Sequence, residues 1–208
     1  MLHMKTLLAS RTSNLAGMTK GMLLLFSISV HLSACKPDKE EVDQHNGSNQ
    51  NEEELITTVR ASFTQVGGGH TAEFSWVDID GDGGNAPVIT GDTVFVGTSY
   101  NATLLLLNES VSPADTVSSE VTDEAEAHQF FFSTTGGSLT WASYGDTDSN
   151  GLPIGLLSTW VAMGAGSGSI TIILRHELNK SAAGVSNGDI TNAGGETDIE
   201  VVIPYLVQ

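Results

Sequence analysis

The chain has 208 residues, a single cysteine and a formal net charge of −17. All 25 acidic residues but only five of the eight basic ones follow Cys35, so that part carries a formal net charge of −20. Neutralising phosphates requires patches of lysine and arginine, so this charge argues against a nucleic-acid partner. It argues equally against direct electrostatic attraction to an anionic membrane. With one cysteine, no disulfide can form within the chain.

The first 34 residues are typical of a bacterial export signal. Basic Lys5, Arg11 and Lys20 precede the apolar run 22–32, which reads MLLLFSISVHL. A basic region, a short apolar region and small residues at the cleavage point define a signal peptide. A transmembrane anchor is the alternative, but a span needs about 20 apolar residues. Residues 1–34 are therefore predicted to be a signal peptide.

The signal ends in a lipobox, formed by Leu32, Ser33, Ala34 and Cys35. In this pattern the cysteine is acylated and becomes the mature N-terminus, so Cys35 is the predicted lipid attachment site. An ordinary cleavage site with an incidental cysteine is the alternative. Lys36 followed by acidic residues is similar to a surface-export signal of one large group of Gram-negative bacteria. We therefore expect an outer-membrane lipoprotein on the cell surface, with the periplasmic face as the alternative.

Residues 35–54 are predicted to be a lipidated, acidic and disordered tether. Val42 is the only apolar residue other than proline between positions 36 and 54. Such a segment buries too little surface to offset the entropy lost on ordering. The folded domain is expected to cover residues 55–208.

From residue 55 onward, apolar residues alternate with polar ones with a period of two, as in half-buried strands. Turn residues separate runs rich in Val, Ile, Thr and aromatics. The predicted strands are 55–63, 70–76, 93–100, 102–108, 129–133, 139–144, 157–162, 170–177 and 199–207.

The number of short strands predicts an all-β fold, an antiparallel β-sandwich of the immunoglobulin-like type. Residues 118–127 are the only helix-like stretch and are expected to form one or two turns. Pro204 places the middle of the last strand at an edge or a bulge, because proline lacks an N–H donor. The polar, glycine-rich residues 187–198 are predicted to form a long loop.

Two stretches fit the pattern D-x-D-x-[DN]-G, in which oxygen ligands converge on a hard cation such as calcium. The oxygen-bearing residues are Asp78, Asp80 and Asp82 in the first, and Asp146, Asp148 and Asn150 in the second. Neither is an EF-hand, because Ile89 and Leu157 occupy the positions where that motif has glutamate. Plain turns, which favour the same residues, are the alternative to calcium sites.

The domain contains His70, His128 and His176, which are weaker candidates for transition-metal ligands. No two of them have a ligand-type spacing in the sequence, so the pattern does not show whether they meet. Hydrogen-bonded histidines at strand ends are the alternative.

Enzyme signatures are missing from the sequence. His176 and Glu177 do not continue into HExxH, because Lys180 occupies the place of the second histidine. No G-x-S-x-G, phosphate loop or dinucleotide fingerprint occurs. We therefore expect a protein that is not an enzyme.

The lipobox, the tether and several domain stretches together resemble a family of bacterial lipoproteins often labelled "type 1 periplasmic binding fold superfamily protein". The stretches are EELITTV (53–59), DIDGDGGNAPV (78–88), AHQFFF (127–132) and LRHELNKSAAGVSNGDITNAGGETDIEV (174–201). The label implies a two-lobed α/β protein, whereas this sequence lacks the alternating helices of such a fold. We therefore keep the all-β prediction. The resemblance implies no catalytic residues.

Anchor, tether and acidic domain together predict a surface-anchored binding module for a small ligand or metal. Its similarity to small outer-membrane lipoproteins that partner TonB-dependent transporters implies an accessory role beside such a transporter. The alternative is a structural or adhesive β module, stabilised by calcium.

Overall fold

The computed structural model describes residues 55–81 and 83–208. The predicted signal peptide, Cys35, the tether and Asp82 lie outside this part. The described chain forms one α-helix, α1 (Val117–Asp123), and ten strands: β1 (Thr58–Gln65), β2 (Thr71–Val77), β3 (Val88–Thr90), β4 (Asp92–Val94), β5 (Thr98–Leu107), β6 (His128–Thr134), β7 (Leu139–Tyr144), β8 (Leu157–Ala162), β9 (Gly166–His176) and β10 (Glu196–Val207). Two short 3-10 helices, Val185–Asn187 and Ile190–Asn192, lie between β9 and β10.

The strands form two sheets, one with the order β3-β2-β1-β5-β8-β7 and one with the order β4-β10-β9-β6. Neighbouring strands are antiparallel except β4 and β10, which are parallel. The predicted all-β, two-sheet sandwich is confirmed. No helix of the described residues is long and apolar enough to cross a membrane.

The core lies between the inner faces of the sheets and follows from the two-residue alternation. In β1, Val59, Ala61 and Phe63 are buried, while Arg60 and Thr64 are exposed and Ser62 is partly exposed. In β9 the buried residues are Ile170, Ile172, Leu174 and His176. The largest fully buried side chains include Trp160, Tyr100, Phe63, Phe74 and Phe130.

Two boundaries differ from the sequence prediction. β4 ends at Val94, and residues 95–97, in which Gly97 has a φ of +72°, separate it from β5. Strand β5 then runs without interruption from Thr98 to Leu107. The predicted division of this region into strands 93–100 and 102–108 is therefore wrong. The first strand begins at Thr58, and Leu55 before it is exposed.

The predicted short helix is confirmed as α1, which ends at Asp123. Pro204 pairs with Ser169 of β9, and the pairing of β10 with β4 starts only at Tyr205. Up to Pro204, the described part of β10 therefore has β9 alone as its sheet neighbour. A residue without an N–H donor is tolerated at such a position.

The segment between β9 and β10 covers the outer face of the smaller sheet. A second apolar cluster forms there from Phe131, Leu178, Val185 and Ala193. Gln129 Nε2 donates to the carbonyl of Val185 at 2.7 Å and to Tyr144 Oη at 3.1 Å.

Tyr144 lies where this segment and β6 meet. Burial raises its pKa to about 12, against a smaller opposing effect of the hydrogen bond from Gln129. The phenol therefore stays protonated and donates to the carbonyl of Phe130 at 2.7 Å.

Replacing Phe74 with alanine is expected to lower the free energy of unfolding by about 3–5 kcal/mol, because the side chain is 1% exposed and leaves a cavity. Val88→Ala is the control; Val88 is 67% exposed and should change stability by less than about 0.5 kcal/mol. Urea unfolding of both variants measures the difference. Equal, small losses would contradict the described core.

Candidate functional site

Two of the three predicted histidines are neighbours in the smaller sheet. β6 and β9 pair so that His128 is directly opposite His176. Both belong to the inward-facing sets of their strands, which include Phe130 and Leu174. Their rings stack with centroids 4.6 Å apart and planes 10° from parallel.

Asp198 reaches the same place from β10, on the other side of β9. The ladder between β9 and β10 shifts register between Thr197 and Ile199, which leaves Asp198 as the additional residue of a β-bulge. Its side chain is fully buried. Oδ2 lies 3.7 Å from Nε2 of His128, and Oδ1 lies 3.9 Å from Nδ1 of His176.

Glu124 lies at the exposed edge of this group, immediately after α1. Its backbone carbonyl is 3.1 Å from Nδ1 of His128. Glu124, His128 and His176 each offer one ligand atom, and the three atoms lie within 4.8 Å of one another. We call Glu124, His128, His176 and Asp198 the histidine cluster.

Burial makes the charge balance of the histidine cluster demanding. The side chains of His128 and Asp198 are fully buried, and that of His176 is 5% exposed. Removing a carboxylate from water is costly unless cationic partners lie close to it. Two imidazoles lie within 4 Å of the Asp198 carboxylate.

An open groove of about 660 Å³ leads to the exposed edge of the cluster. Its wall includes the turn after α1 and, among its acidic residues, Asp123, Glu124, Glu126 and Glu177. A cleft lined by charges of one sign concentrates ions of the opposite sign. The groove therefore gives cations a favourable approach to Glu124.

A buried lysine holds the wall of this groove together. Lys180 Nζ lies 2.7 Å from Oδ2 of Asp148 and donates to the carbonyl of Ala125 at 2.7 Å. The side chains of Lys180 and Asp148 are 3% and 1% exposed. One ammonium thus links the segment after β9, the turn after α1 and the second D-x-D-x-[DN]-G stretch (residues 146–151), here called the second aspartate loop.

In the second aspartate loop, the described contacts use the carboxylates to hold the turn. Asp148 Oδ1 accepts from the backbone N–H groups of Asn150 and Leu152. Burial by itself would raise the pKa of Asp148, but the hydrogen bonds from Lys180 and the backbone outweigh it and hold the pKa below its usual value.

Asp146 makes similar contacts, accepting from the backbone N–H groups of Gly155 at 2.7 Å and of Leu157 at 3.0 Å. All these contacts favour a plain turn. Calcium at Asp146, Asp148 and Asn150 stays a prediction.

The first aspartate loop also has turn-type contacts. Asp78 Oδ1 accepts from the N–H of Gly81, and Asp80 Oδ2 accepts from both the backbone and the side chain of Asn85. The backbone hydrogen bond from Asn85 is the main reason why the pKa of Asp80 is lowered. With Asp82 outside the described residues, calcium binding here stays a prediction.

His70 is not part of the histidine cluster. It precedes β2 in the larger sheet, where its ring centroid lies 4.4 Å from that of Phe95. Nδ1 is 3.4 Å from Tyr100 Oη. This position matches the alternative of a hydrogen-bonded histidine at the end of a strand.

Glu124 and Asp198 are site residues that the sequence motifs do not reveal. Glu124 and His128 are four residues apart, but they lie on a turn and at the start of β6 rather than on one helix, so their spacing is not a helical signal. Asp198 has no sequence signal either, since a bulge depends on the pairing of two strands that are distant in sequence.

Comparisons with family models, curated proteins and solved structures found no match to this chain. The resemblance to the lipoprotein family therefore stays a prediction.

Replacing Lys180 with methionine is expected to lower the free energy of unfolding by about 3–5 kcal/mol, because it leaves the Asp148 carboxylate buried without its ammonium. Arg60→Met is the matched control; Arg60 pairs with Glu109 at 3.2 Å but is 48% exposed. That change should cost at most about 1 kcal/mol. Denaturant unfolding at neutral pH compares the two, and equal losses would contradict the buried pair.

Proposed function

We propose that this protein is a non-enzymatic binding module for a divalent transition-metal ion, held in the histidine cluster. The observation that carries the proposal is the convergence of Glu124, His128 and His176, whose ligand atoms lie within 4.8 Å of one another. The three residues come from the end of α1, from β6 and from β9, so the arrangement depends on the folded domain.

The donor atoms support a particular class of ion. Imidazole nitrogen suits zinc, copper, iron and nickel, whereas calcium and magnesium prefer ligand sets made entirely of oxygen. The cluster offers two imidazoles together with carboxylates and no sulfur. The acidic groove beside Glu124 supports the approach of a cation rather than of an anionic molecule.

We also propose where the domain is located. With Cys35 lipidated and residues 36–54 acting as a tether, the domain would be held on the outer membrane, facing outward. There it would capture a metal ion and act as an accessory to a TonB-dependent transporter. The excess of acidic residues supports recruitment of cations rather than contact with an anionic surface.

The alternative function is a structural or adhesive β module stabilised by calcium. The observation that favours it is the presence of two D-x-D-x-[DN]-G loops. The ammonium of Lys180 against Asp148 weighs against it in the second loop, because a cationic group already lies at that carboxylate.

Isothermal titration of the purified chain with Zn²⁺ is expected to show one ion bound per chain. His128→Gln, His176→Gln and Glu124→Gln should each weaken binding, because each removes a ligand. Asp115→Asn and His70→Gln are the controls and should leave affinity within about twofold, since neither residue belongs to the cluster or lines the groove. No binding by the native chain, or unchanged binding by the histidine variants, would contradict the proposal.

The same titration with Ca²⁺ separates the two functions. A rise in melting temperature with calcium that is lost in Asp78→Asn and kept in His176→Gln would favour the alternative.

The proposed anchor is tested by replacing Cys35 with serine. Labelling with radioactive palmitate should be lost and the chain should leave the outer-membrane fraction, because Cys35 is the only cysteine in the sequence. Native protein expressed and labelled in parallel is the control. Equal labelling and fractionation of the two proteins would refute lipidation at this position.

A further inference from the structure

We propose that one end of the sandwich is a membrane-docking surface, at which exposed apolar side chains insert into the bilayer that carries the lipid anchor. The surface consists of three turns that contain Val66, Phe95, Val96 and Met163, and we call it the apolar tip. The inference rests on the proposed anchor at Cys35 and is independent of metal binding. It adds a second contact with the membrane and gives the domain a defined orientation.

Backbone hydrogen bonds hold the three turns of the apolar tip beside one another. The turns connect β1 to β2, β4 to β5 and β8 to β9, and they cover residues 66–70, 95–97 and 163–165. The N–H of Val66 donates to the carbonyl of Ser99 at 2.9 Å, just after the second turn. The N–H of Gly97 donates to the carbonyl of Ala162 at 2.8 Å, just before the third turn. The turns therefore share one end of the sandwich.

The apolar side chains of these turns are exposed. Met163 is 68% exposed, and Val66, Phe95 and Val96 are exposed as well. The ring of Phe95 is steadied by that of His70, with centroids 4.4 Å apart. Single exposed apolar residues are ordinary on a protein surface. Several of them on adjacent turns form a patch, and such patches mark contacts with proteins or membranes.

The apolar tip has no aspartate, glutamate, lysine or arginine side chain. Two of its turns lie within residues 93–108 and 151–174, and neither of these stretches contains such a residue. The bordering strands β2 and β4 each carry one acidic residue, Glu73 and Asp92. Asp92 Oδ2 accepts from the backbone N–H of Glu73 at 2.8 Å. The patch is therefore uncharged in a strongly acidic chain.

The acidic residues collect at the opposite end of the sandwich, where the groove and the histidine cluster lie. Among the described residues outside the strands, every acidic one belongs to α1 or to the loops of that end. These residues are Asp78, Asp80, Glu109, Asp115, Glu120, Asp123, Glu124, Glu126, Asp146, Asp148, Glu177 and Asp189. The molecule thus has one acidic end and one apolar end.

This separation lets the apolar tip approach a bilayer although the chain is acidic. β5 runs from the tip to the acidic end, and its 10 residues span about 34 Å. Exposed charges interact weakly beyond the Debye length, which is about 8 Å at physiological ionic strength. The acidic end therefore adds little repulsion when the tip touches the lipid. Uncharged turns also avoid the cost of removing a charged group from water.

The point at which the tether joins the domain is compatible with this orientation. β1 begins at Thr58, which pairs with Leu107 at the end far from the apolar tip. The predicted tether of residues 35–54 reaches at most about 70 Å when extended, about twice the length of β5. It is long enough to pass the domain while the tip faces the bilayer. Docking would then turn Glu124 and the groove toward the medium, from which cations arrive.

The size of the apolar tip favours a bilayer over a second copy of the chain. A stable protein–protein interface takes roughly 20–30 residues from each partner, and three short turns supply far fewer. A tethered domain stays beside its membrane, so the high effective concentration populates even a weak contact. The bilayer is therefore the occupant that this patch suits.

The test follows an environment-sensitive fluorophore attached to Met163→Cys in the full chain. The chain is bound through its anchor to phosphatidylcholine vesicles that contain nitroxide-labelled lipid, and flotation measures the attachment separately. Ser181→Cys, at an exposed position after β9, is the control at the opposite end. The probe at position 163 should shift its emission to shorter wavelength and be quenched by the nitroxide, and the probe at position 181 should do neither. Native chain treated with the same reagent reports any labelling of Cys35.

A second set of variants tests insertion itself. Adding Val66→Asp and Val96→Asp to the chain labelled at position 163 should abolish the shift and the quenching while the chain still floats, because charged side chains resist entry into lipid. Val88→Asp is the matched control, since Val88 is 67% exposed but lies on β3, outside the apolar tip. It should leave both signals unchanged. Equal melting temperatures confirm that all variants are folded.

A probe at position 163 that stays in water on floating vesicles would overturn the inference and leave the anchor intact. A shift of the same size without vesicles would overturn it too, because a second copy would then cover the apolar tip. Signals that survive the two aspartate substitutions would also contradict insertion. A chain that does not float refutes the proposed anchor, and the inference falls with it, so the two failures are distinguishable.

Discussion

The position of β9 between β6 and β10 is the constraint on which the histidine cluster depends. Its register places His176 opposite His128 on one side, and Leu174 opposite Phe130 and Ile199. Because strand side chains alternate between two faces, a slip of one residue would turn the whole buried set of β9 outward. Burial of the aliphatic residues thus fixes the position of the imidazole at the end of the same strand. The apolar core and the polar site are specified by one register.

The polar groups at this end of the core are held in two different ways. Lys180 and Asp148 are within hydrogen-bond distance of each other, and two backbone N–H groups also donate to the Asp148 carboxylate. Asp198 lies further from the two histidines, at 3.7 Å from Nε2 of His128 and 3.9 Å from Nδ1 of His176. The first arrangement stabilises the walls of the groove. Under the proposed function, an ion held by Glu124, His128 and His176 would tie the end of α1 to β6 and β9, because ions bound only by the folded state add to its stability.

Much of the fold could be predicted from the sequence, because strand alternation is a local signal. The inward set of β1, with Phe63, follows directly from it. The division between β4 and β5 could not be predicted, because it depends on the conformation of Gly97. The histidines could be identified as candidate ligands by residue type, but their adjacency arises from strand pairing between distant segments. Asp198 stays hidden among polar loop residues, since only the pairing of β9 and β10 reveals the bulge.

The place of β1 within the larger sheet has a mechanical consequence. β1 is the first strand after the predicted tether, and it is bonded along its length to β2 on one side and β5 on the other. The backbone of Thr57 adds one hydrogen bond on each side. Its carbonyl accepts from the N–H of Asp78, and its N–H donates to the carbonyl of Leu107. A force applied to the chain ahead of β1 therefore acts along a strand held from both sides, so that many hydrogen bonds share the load at once. The domain is therefore expected to resist being pulled apart by a force on the chain ahead of Thr58.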